Sequence, residues 1–311
     1  MANVMVTGAM GRIGRELTDR LIEKGHNVFA VDTMFSSRAD DELFHYTNCE
    51  ITDEETITKI MNENAIDTVI HIAYTVDNDL GETIGDAEFK ASKQSDKFIY
   101  SAAHAARVKN FILTSTTQIY GIQKGRDPIR ETASEKGTSI YAEMKLNSEK
   151  MMLKAFKKSS TVPVIARLAP IYTPEFTDNL LEHVIDRKNN CSYVYGEGNY
   201  SFSFCSLYNY IEFIIGIVNI PKCRYEGIYN ICDKDKVTAK EILHFGEESL
   251  RLGTPDVRTP PRLVSYNKAK GRNDYRYFDP DAALANWSYD NTKAQRISTF
   301  RWNLSNTAVH A

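Results

Sequence analysis

Three glycines near the start constrain this chain more than any other feature. Gly8, Gly11 and Gly14 are spaced G-x-x-G-x-x-G, just behind the apolar run Val4-Met5-Val6 and just ahead of an amphipathic run from Arg12 to Lys24. That context predicts strand, tight turn, helix. Glycine accepts backbone angles that a side chain forbids. Its missing Cβ also lets a pyrophosphate approach the main chain and lets the helix lie close on the strand. The unpaired N–H groups and positive dipole end of the helix then face the phosphates. Asp32 closes a second apolar run, Val28-Phe29-Ala30-Val31, 18 residues past Gly14. The ribose-binding acid of a dinucleotide fold belongs at about that place. A glycine-rich turn beside a chance acidic residue is the bland alternative, and the shared register of turn, helix and acid weighs against it.

Apolar runs alternate with helical patterns through the first half. The runs are Val4–Val6, Val28–Val31, Tyr46–Ile51, Thr68–Ala73, Phe111–Leu113 and Val164–Leu168. Helical stretches are expected over 12–24, 54–64, 88–106 and 140–157. Such alternation predicts an α/β protein with a doubly wound parallel sheet and right-handed crossovers. Runs that are apolar at nearly every position fit strands covered on both faces. After Pro170 the alternation fades, and a smaller mixed α/β substrate lobe is expected. The division is drawn as residues 1–168 for the dinucleotide domain and 169–311 for the lobe, with some late strands returning to the first domain.

Composition excludes several classes. The net charge of -3 over 311 residues points to no nucleic-acid or membrane partner. No basic segment leads an apolar stretch at the N-terminus, so no signal peptide is expected. The longest apolar run, Ile211 to Ile220, contains Glu212 and Asn219 and is too short for a bilayer. The five cysteines (49, 191, 205, 223 and 232) include no C-x-x-C pair. A reduced, cytoplasmic protein is expected. The histidines show no metal-ligand spacing, so no metal is expected.

Two later stretches carry candidate chemistry. Phe111 to Gly121 reads as a strand ending in hydroxyls, and Tyr141-Ala-Glu-Met-Lys145 lies near a helix start. Residues four apart on a helix share a face. An ammonium beside a phenol favours the phenolate, as a general base requires. Thr116, at a strand end, is placed to hydrogen-bond a substrate oxygen. Each motif alone is more often structural than catalytic; their order behind a dinucleotide turn changes that reading.

Taken together, these residues resemble the extended short-chain dehydrogenases/reductases, in the NAD-dependent epimerase/dehydratase group. Gly8, Gly11 and Gly14 match its glycine motif and Asp32 its NAD-selecting acid, and Glu50-Ile51 sits where the family usually has an Asp-Ile or Asp-Leu contacting adenine. Val69 to Ala73 matches its fourth-strand stretch. Thr116, Tyr141 and Lys145 match its active-site Ser/Thr, Tyr and Lys, with the 25-residue step from Thr116 to Tyr141 found in its UDP-galactose 4-epimerases. Arg167 to Pro174, Gly227 to Cys232 and Asp290 to Trp302 resemble its later motifs. The resemblance implies NAD as cofactor. It implies NAD contacts from Gly8, Met10, Gly11, Arg12, Ile13, Gly14, Asp32, Glu50, Ile51, Ile72, Ala73, Tyr74, Thr114, Tyr141, Lys145 and Leu168. It implies reversible hydride transfer at an alcohol carbon, of a small-molecule substrate such as a nucleotide sugar. A net dehydrogenase acting on a non-nucleotide hydroxy substrate and a non-catalytic dinucleotide sensor are the alternatives.

The departures are informative. The Asp-Glu pair of the 4,6-dehydratases is Thr117-Gln118 here, and neither side chain is a carboxylic acid. The family's substrate-contacting Asn is Pro170, its diphosphate-holding Arg is Phe202, its "H-V-x-D" reads Ser206 to Asn209, and its helix Asn is Ser92. An aromatic pocket from Phe202, Phe204 and Tyr208 is one expectation; their use as packing is the other. Arg258, Arg262 and Arg272 are alternative phosphate contacts. A homodimer through the helices over 88–106 and 140–157 is expected, with Phe98, Met144, Met151 and Met152 on their exposed faces, unless these side chains cover the sheet.

Overall fold

The computed structural model describes residues 1–74, 86–123, 125, 127–137, 139–186, 191–220, 225–250, 254–258 and 287–307. The chain forms two compact units. The first comprises residues 1–119, 140–167 and 211–229; the second comprises 120–139, 168–210 and 230–311. The chain thus enters the first unit three times; the sequence reading draws 1–168 with some late strands returning to it.

The first unit opens with β1 (Asn3–Thr7), α1 (Arg12–Glu23), β2 (Asn27–Asp32), β3 (Phe44–Asn48), α2 (Glu54–Glu63) and β4 (Thr68–His71). It continues with α3 (Asp86–Ala105), β5 (Asn110–Thr116), α4 (Ile140–Phe156) and β6 (Val162–Leu168). The sheet has seven strands, in the order Gly227–Ile231, β6, β5, β4, β1, β2, β3. β1 pairs in parallel with both β2 and β4, with Val4 opposite Val28 and Thr68. β2 with β3 and β4 with β5 are parallel too. This is the doubly wound order in which β1 sits centrally and the chain reverses direction across β1 and β4.

Burial explains the strand sequences. Every residue of β4 and β5 is buried, as expected where helices cover both faces. On one face Met5, Val31, Val69, Phe111, Leu113 and Ile165 pack with Ile57, Ile99, Tyr100, Met152 and Phe156 from the helices. Helix α2 starts at Glu54, as the sequence predicts, after a turn over 50–53. Asp53 N donates to Glu50 O at 3.1 Å, and the Asp53 carboxylate caps Thr56 N at 3.1 Å. That turn ends the expected strand over 46–51 at Asn48.

Two expectations for the helix pair are corrected. Met144 and Met152 are 2% and 0% exposed. They lie on the buried face of α4 and do not form an exposed stripe. Phe98 and Met151 pack partly against the same core.

The second unit is built from short strands and helices around Tyr172, Leu180, Val194, Phe202, Phe204 and Ile242. Strand Ser201–Phe202 pairs antiparallel with Val237–Thr238. Asp233 is its buried polar hub. Its carboxylate accepts from Tyr172 Oη at 2.6 Å, Ser206 N at 2.8 Å and Asn209 Nδ2 at 2.7 Å. Among the described residues no helix is long and apolar enough to cross a membrane, and none form a metal-holding cluster.

Candidate active site

The site grows from the carboxyl end of the first unit's sheet. Gly8 follows β1 with φ +73°, a conformation that favours glycine. A Cβ there would stand 2.7 Å from Ala73 N. Ala73 N in turn donates to Thr7 O at 3.1 Å, which fixes the chain leaving β4 against the turn. Gly8 N donates to Val31 O at 2.9 Å, and Arg15 N to Gly11 O at 3.0 Å. A Cβ on Gly14 would fall 2.1 Å from Gly8 O, so α1 lies against the turn only because that side chain is missing. A Cβ on Gly11 would meet nothing closer than Gly8 O at 3.4 Å. The main chain at Gly11 is therefore open to an approaching group at the helix start, the geometry an anionic pyrophosphate requires.

Asp32 ends β2. Its Oδ2 accepts from Met10 N at 2.8 Å and its Oδ1 from Met34 N at 2.9 Å. The carboxylate is thereby aimed beside the glycine turn, with lone pairs left for hydroxyl donors. Arg38 pairs with Asp19 and with Asp41, each at 2.9 Å. Glu50 accepts from Thr52 Oγ1 at 3.0 Å, and Ile51 packs partly on the core. Thr114 and Leu168 are each 6% exposed, near the ends of β5 and β6. The residues present fit a dinucleotide with free ribose hydroxyls.

Thr116 closes β5. Its Oγ1 accepts from Gln118 N at 3.2 Å, which leaves the hydroxyl proton to donate elsewhere. Tyr141 and Lys145 lie one turn apart on α4, with Lys145 Nζ 5.9 Å from the centre of the Tyr141 ring. Lys145 is 3% exposed and donates to Thr114 O at 2.9 Å. Its burial holds the ammonium well below the ordinary lysine range, against the opposing pull of Asp96 and Glu149. The same Nζ stands 3.0 Å from the centre of the Tyr74 ring.

Sequence reading missed what surrounds this pair. The Tyr74 hydroxyl donates to Asp96 Oδ1 at 3.0 Å and contacts Ser148 Oγ. Tyr100 Oη lies 3.2 Å from the same carboxylate oxygen and 2.6 Å from Ser148 Oγ. His71 Nε2 is 3.5 Å from Asp96, and its Nδ1 is 2.7 Å from Thr7 Oγ1. One turn further along α4, Glu149 takes Ser115 Oγ and a two-point contact from Arg167, at 3.0 Å to Nε and 2.6 Å to Nη2. Helical spacing was the available signal: Asp96 and Tyr100 are four apart, as are Lys145 and Glu149.

The second-lobe candidates behave differently. Phe202 and Phe204 are 1% and 0% exposed and belong to that unit's core. The expected aromatic pocket is thus corrected to packing for these two. Tyr208 lies 5.2 Å from the Trp302 ring. Asn209 is spent on Asp233 and Trp302 O. Arg258 lies on strand Asp256–Arg258; Arg262 and Arg272 fall outside the described residues.

The sheet order and the glycine turn define a Rossmann-type α/β protein. Comparison with known proteins narrows this. The model of the NAD dependent epimerase/dehydratase family matches residues 4–232, and the chain belongs to that family. The expectation of NAD as cofactor agrees with that membership. UDP-glucuronic acid decarboxylase 4 of Arabidopsis thaliana is 24% identical over 270 residues, covering 79% of this chain and 57% of the relative. This chain therefore spans a little over half the length of the decarboxylase it matches. UDP-glucose 4-epimerase of Klebsiella pneumoniae is 30% identical over 135 residues, 39% of this chain and 93% of the relative. In fold, the chain is similar to UDP-glucose 4-epimerase of Thermotoga maritima solved with UDP-glucose. There the TM-score is 0.73 and the identity 20%, covering 98% of this chain and 95% of that one.

Proposed function

We propose that the protein is an NAD-dependent enzyme of the epimerase type, acting on an alcohol carbon of a nucleotide sugar. The observation that supports it most is the Tyr141–Lys145 pair at the carboxyl end of the sheet that carries the glycine turn. Bound NAD supplies a reversible hydride acceptor. Gly8, Met10, Gly11, Arg12, Ile13 and Gly14 cradle its pyrophosphate, and Asp32 takes ribose hydroxyls. Glu50 and Ile51 flank the adenine, and Ile72, Ala73, Tyr74, Thr114 and Leu168 line the remainder. Tyr141 removes the substrate hydroxyl proton as a phenolate. Lys145 supplies positive charge that favours that phenolate and donates to the nicotinamide ribose. Thr116 donates to the oxygen as charge develops on it.

Thr117 and Gln118 stand where elimination would need carboxylic acids, which favours epimerisation over dehydration. The relatives' substrates support a UDP sugar as the first to try. Tyr141→Phe is expected to lose at least about a hundredfold in turnover; an undiminished rate would remove the assigned base. Build-up of NADH in proportion to substrate would turn the reading to a net dehydrogenase. The further reading is a cytoplasmic homodimer joined through α3 and α4, and light scattering at a monomer mass would overturn the dimer.

A further inference from the structure

We propose that Tyr74 is a positioning residue for Lys145: a clamped aromatic wall whose face holds the ammonium and sets the charge that Tyr141 experiences. This rests on the function proposed above and gives Tyr74, assigned there to the cofactor lining, a second role.

The clamp is visible atom by atom. Tyr74 follows β4, three residues past the end of that strand. Its hydroxyl is held by Asp96 on α3 and Ser148 on α4. Two helices therefore fix the far end of the ring, and the backbone at Ala73, bonded to Thr7 O, fixes the near end. The ring face is presented to Lys145 Nζ at 3.0 Å from its centre, well inside the roughly 6 Å reach of a cation–π contact.

Lys145 needs such a partner. It is 3% exposed, and its one hydrogen bond among those described goes to the neutral Thr114 carbonyl. The charged and titratable groups around it are few. On its own helix lie Tyr141 and Glu149, and Glu149 is already engaged by Arg167 of β6 and by Ser115. From α3 come Asp96 and Tyr100, and from β4 comes His71, which faces Asp96. Asp96, bonded to the Tyr74 hydroxyl at the edge of the ring, also acts on Lys145 by its charge. A dry ammonium with no bound carboxylate would shed its proton; the π face and Asp96 oppose that loss.

The test is a tyrosinate titration by ultraviolet absorbance of the NAD-loaded protein, with Tyr141→Phe as the blank that isolates the Tyr141 step. Tyr74→Leu removes the π face and keeps apolar volume. It should move the Tyr141 step to higher pH by up to about one unit, and move the acid limb of kcat/KM with UDP-glucose by the same amount. Tyr74→Phe keeps the face but loses the clamp, and should move the step less than Tyr74→Leu does. Tyr74→Met serves in place of Tyr74→Leu should the latter not fold. A Tyr141 step that stays put or moves to lower pH in Tyr74→Leu overturns the role of Tyr74 while leaving Tyr141 as the base. A wild-type Tyr141 that ionises no earlier than an ordinary tyrosine overturns both the assigned base and this inference.

Discussion

Replacing Gly14 and Gly11 by alanine should separate folding from cofactor binding. At Gly14 the new Cβ would lie 2.1 Å from Gly8 O and 2.7 Å from Ala9 C and Cα. A carbon–oxygen contact needs roughly 3.3 Å, and every obstructing atom is backbone. The start of α1 must lift by about 1 Å. Overpacking of this kind costs about 1–3 kcal/mol, and alanine's better helix propensity returns up to about 1 kcal/mol. A net loss on the order of 2 kcal/mol is expected, a large fraction of an ordinary folding free energy. Gly11 differs. Its φ of -70° and ψ of 172° suit alanine, and its Cβ would meet only Gly8 O at 3.4 Å. Gly11→Ala should cost about 1 kcal/mol or less, as the loss of a modest cap. Its methyl would nevertheless stand in the cradle that a pyrophosphate enters. Guanidinium unfolding followed by fluorescence, with NADH titration of each variant, reads both effects. The midpoint should fall more for Gly14→Ala than for Gly11→Ala, and NADH affinity should drop at least about tenfold for Gly11→Ala. Wild-type stability in Gly14→Ala, or wild-type NADH affinity in Gly11→Ala, refutes the argument.

Three further outcomes are expected. Asp32→Asn should raise the NADPH-to-NADH affinity ratio about tenfold or more, by removing a charge that repels a 2′-phosphate; an unchanged ratio in fluorescence titrations rejects that role, and Arg38, held by Asp19 and Asp41, should keep NADPH from binding well in absolute terms. Arg167→Met leaves the Glu149 carboxylate buried with Ser115 and should cost about 3–5 kcal/mol in denaturant melts; a cost below 1 kcal/mol would mean that water reaches the site. Burial pushes the Asp233 carboxyl up from 3.8 to about 7, against hydrogen bonds from Tyr172, Ser206 and Asn209. The folded value exceeds the unfolded one, so this contribution is complete below about pH 4 and is lost as pH rises through 7, by at most about 4 kcal/mol. Asp233→Asn should flatten stability across that window, and an unchanged slope between pH 5 and 8 counts against the assignment.

Strands β4 and β5 were readable because strands covered on both faces are apolar throughout; β3, the edge strand Phe44–Asn48 with polar residues, was placed two residues late. The glycine turn was readable because backbone constraints act on neighbours in sequence. Lys145 was placed with Tyr141 by helical periodicity alone. Tyr74, Asp96 and Ser148 were not placed together, because their contacts join residues 22 and 74 positions apart, across a strand end and two helices. Met144 and Met152 had two readings, exposed face or sheet cover, because polar and apolar residues are mixed around α4; their burial decides for cover. Phe202 and Phe204 had two readings, pocket or core, since an aromatic suits either; only their packing with Leu180 and Ile242 decides for the core.

The threefold entry of the chain into its first unit bears on how the protein is born. Strand β6 ends at Leu168, but the strand that pairs with its outer edge begins at Gly227. At 5–20 residues per second, a ribosome takes roughly 3–12 s to make that interval. Throughout it, a nascent sheet displays a bare rim of unpaired amides and carbonyls, the kind of edge that recruits stray strands. A chaperone, or a fast-translating message between those two codons, would matter most during those seconds.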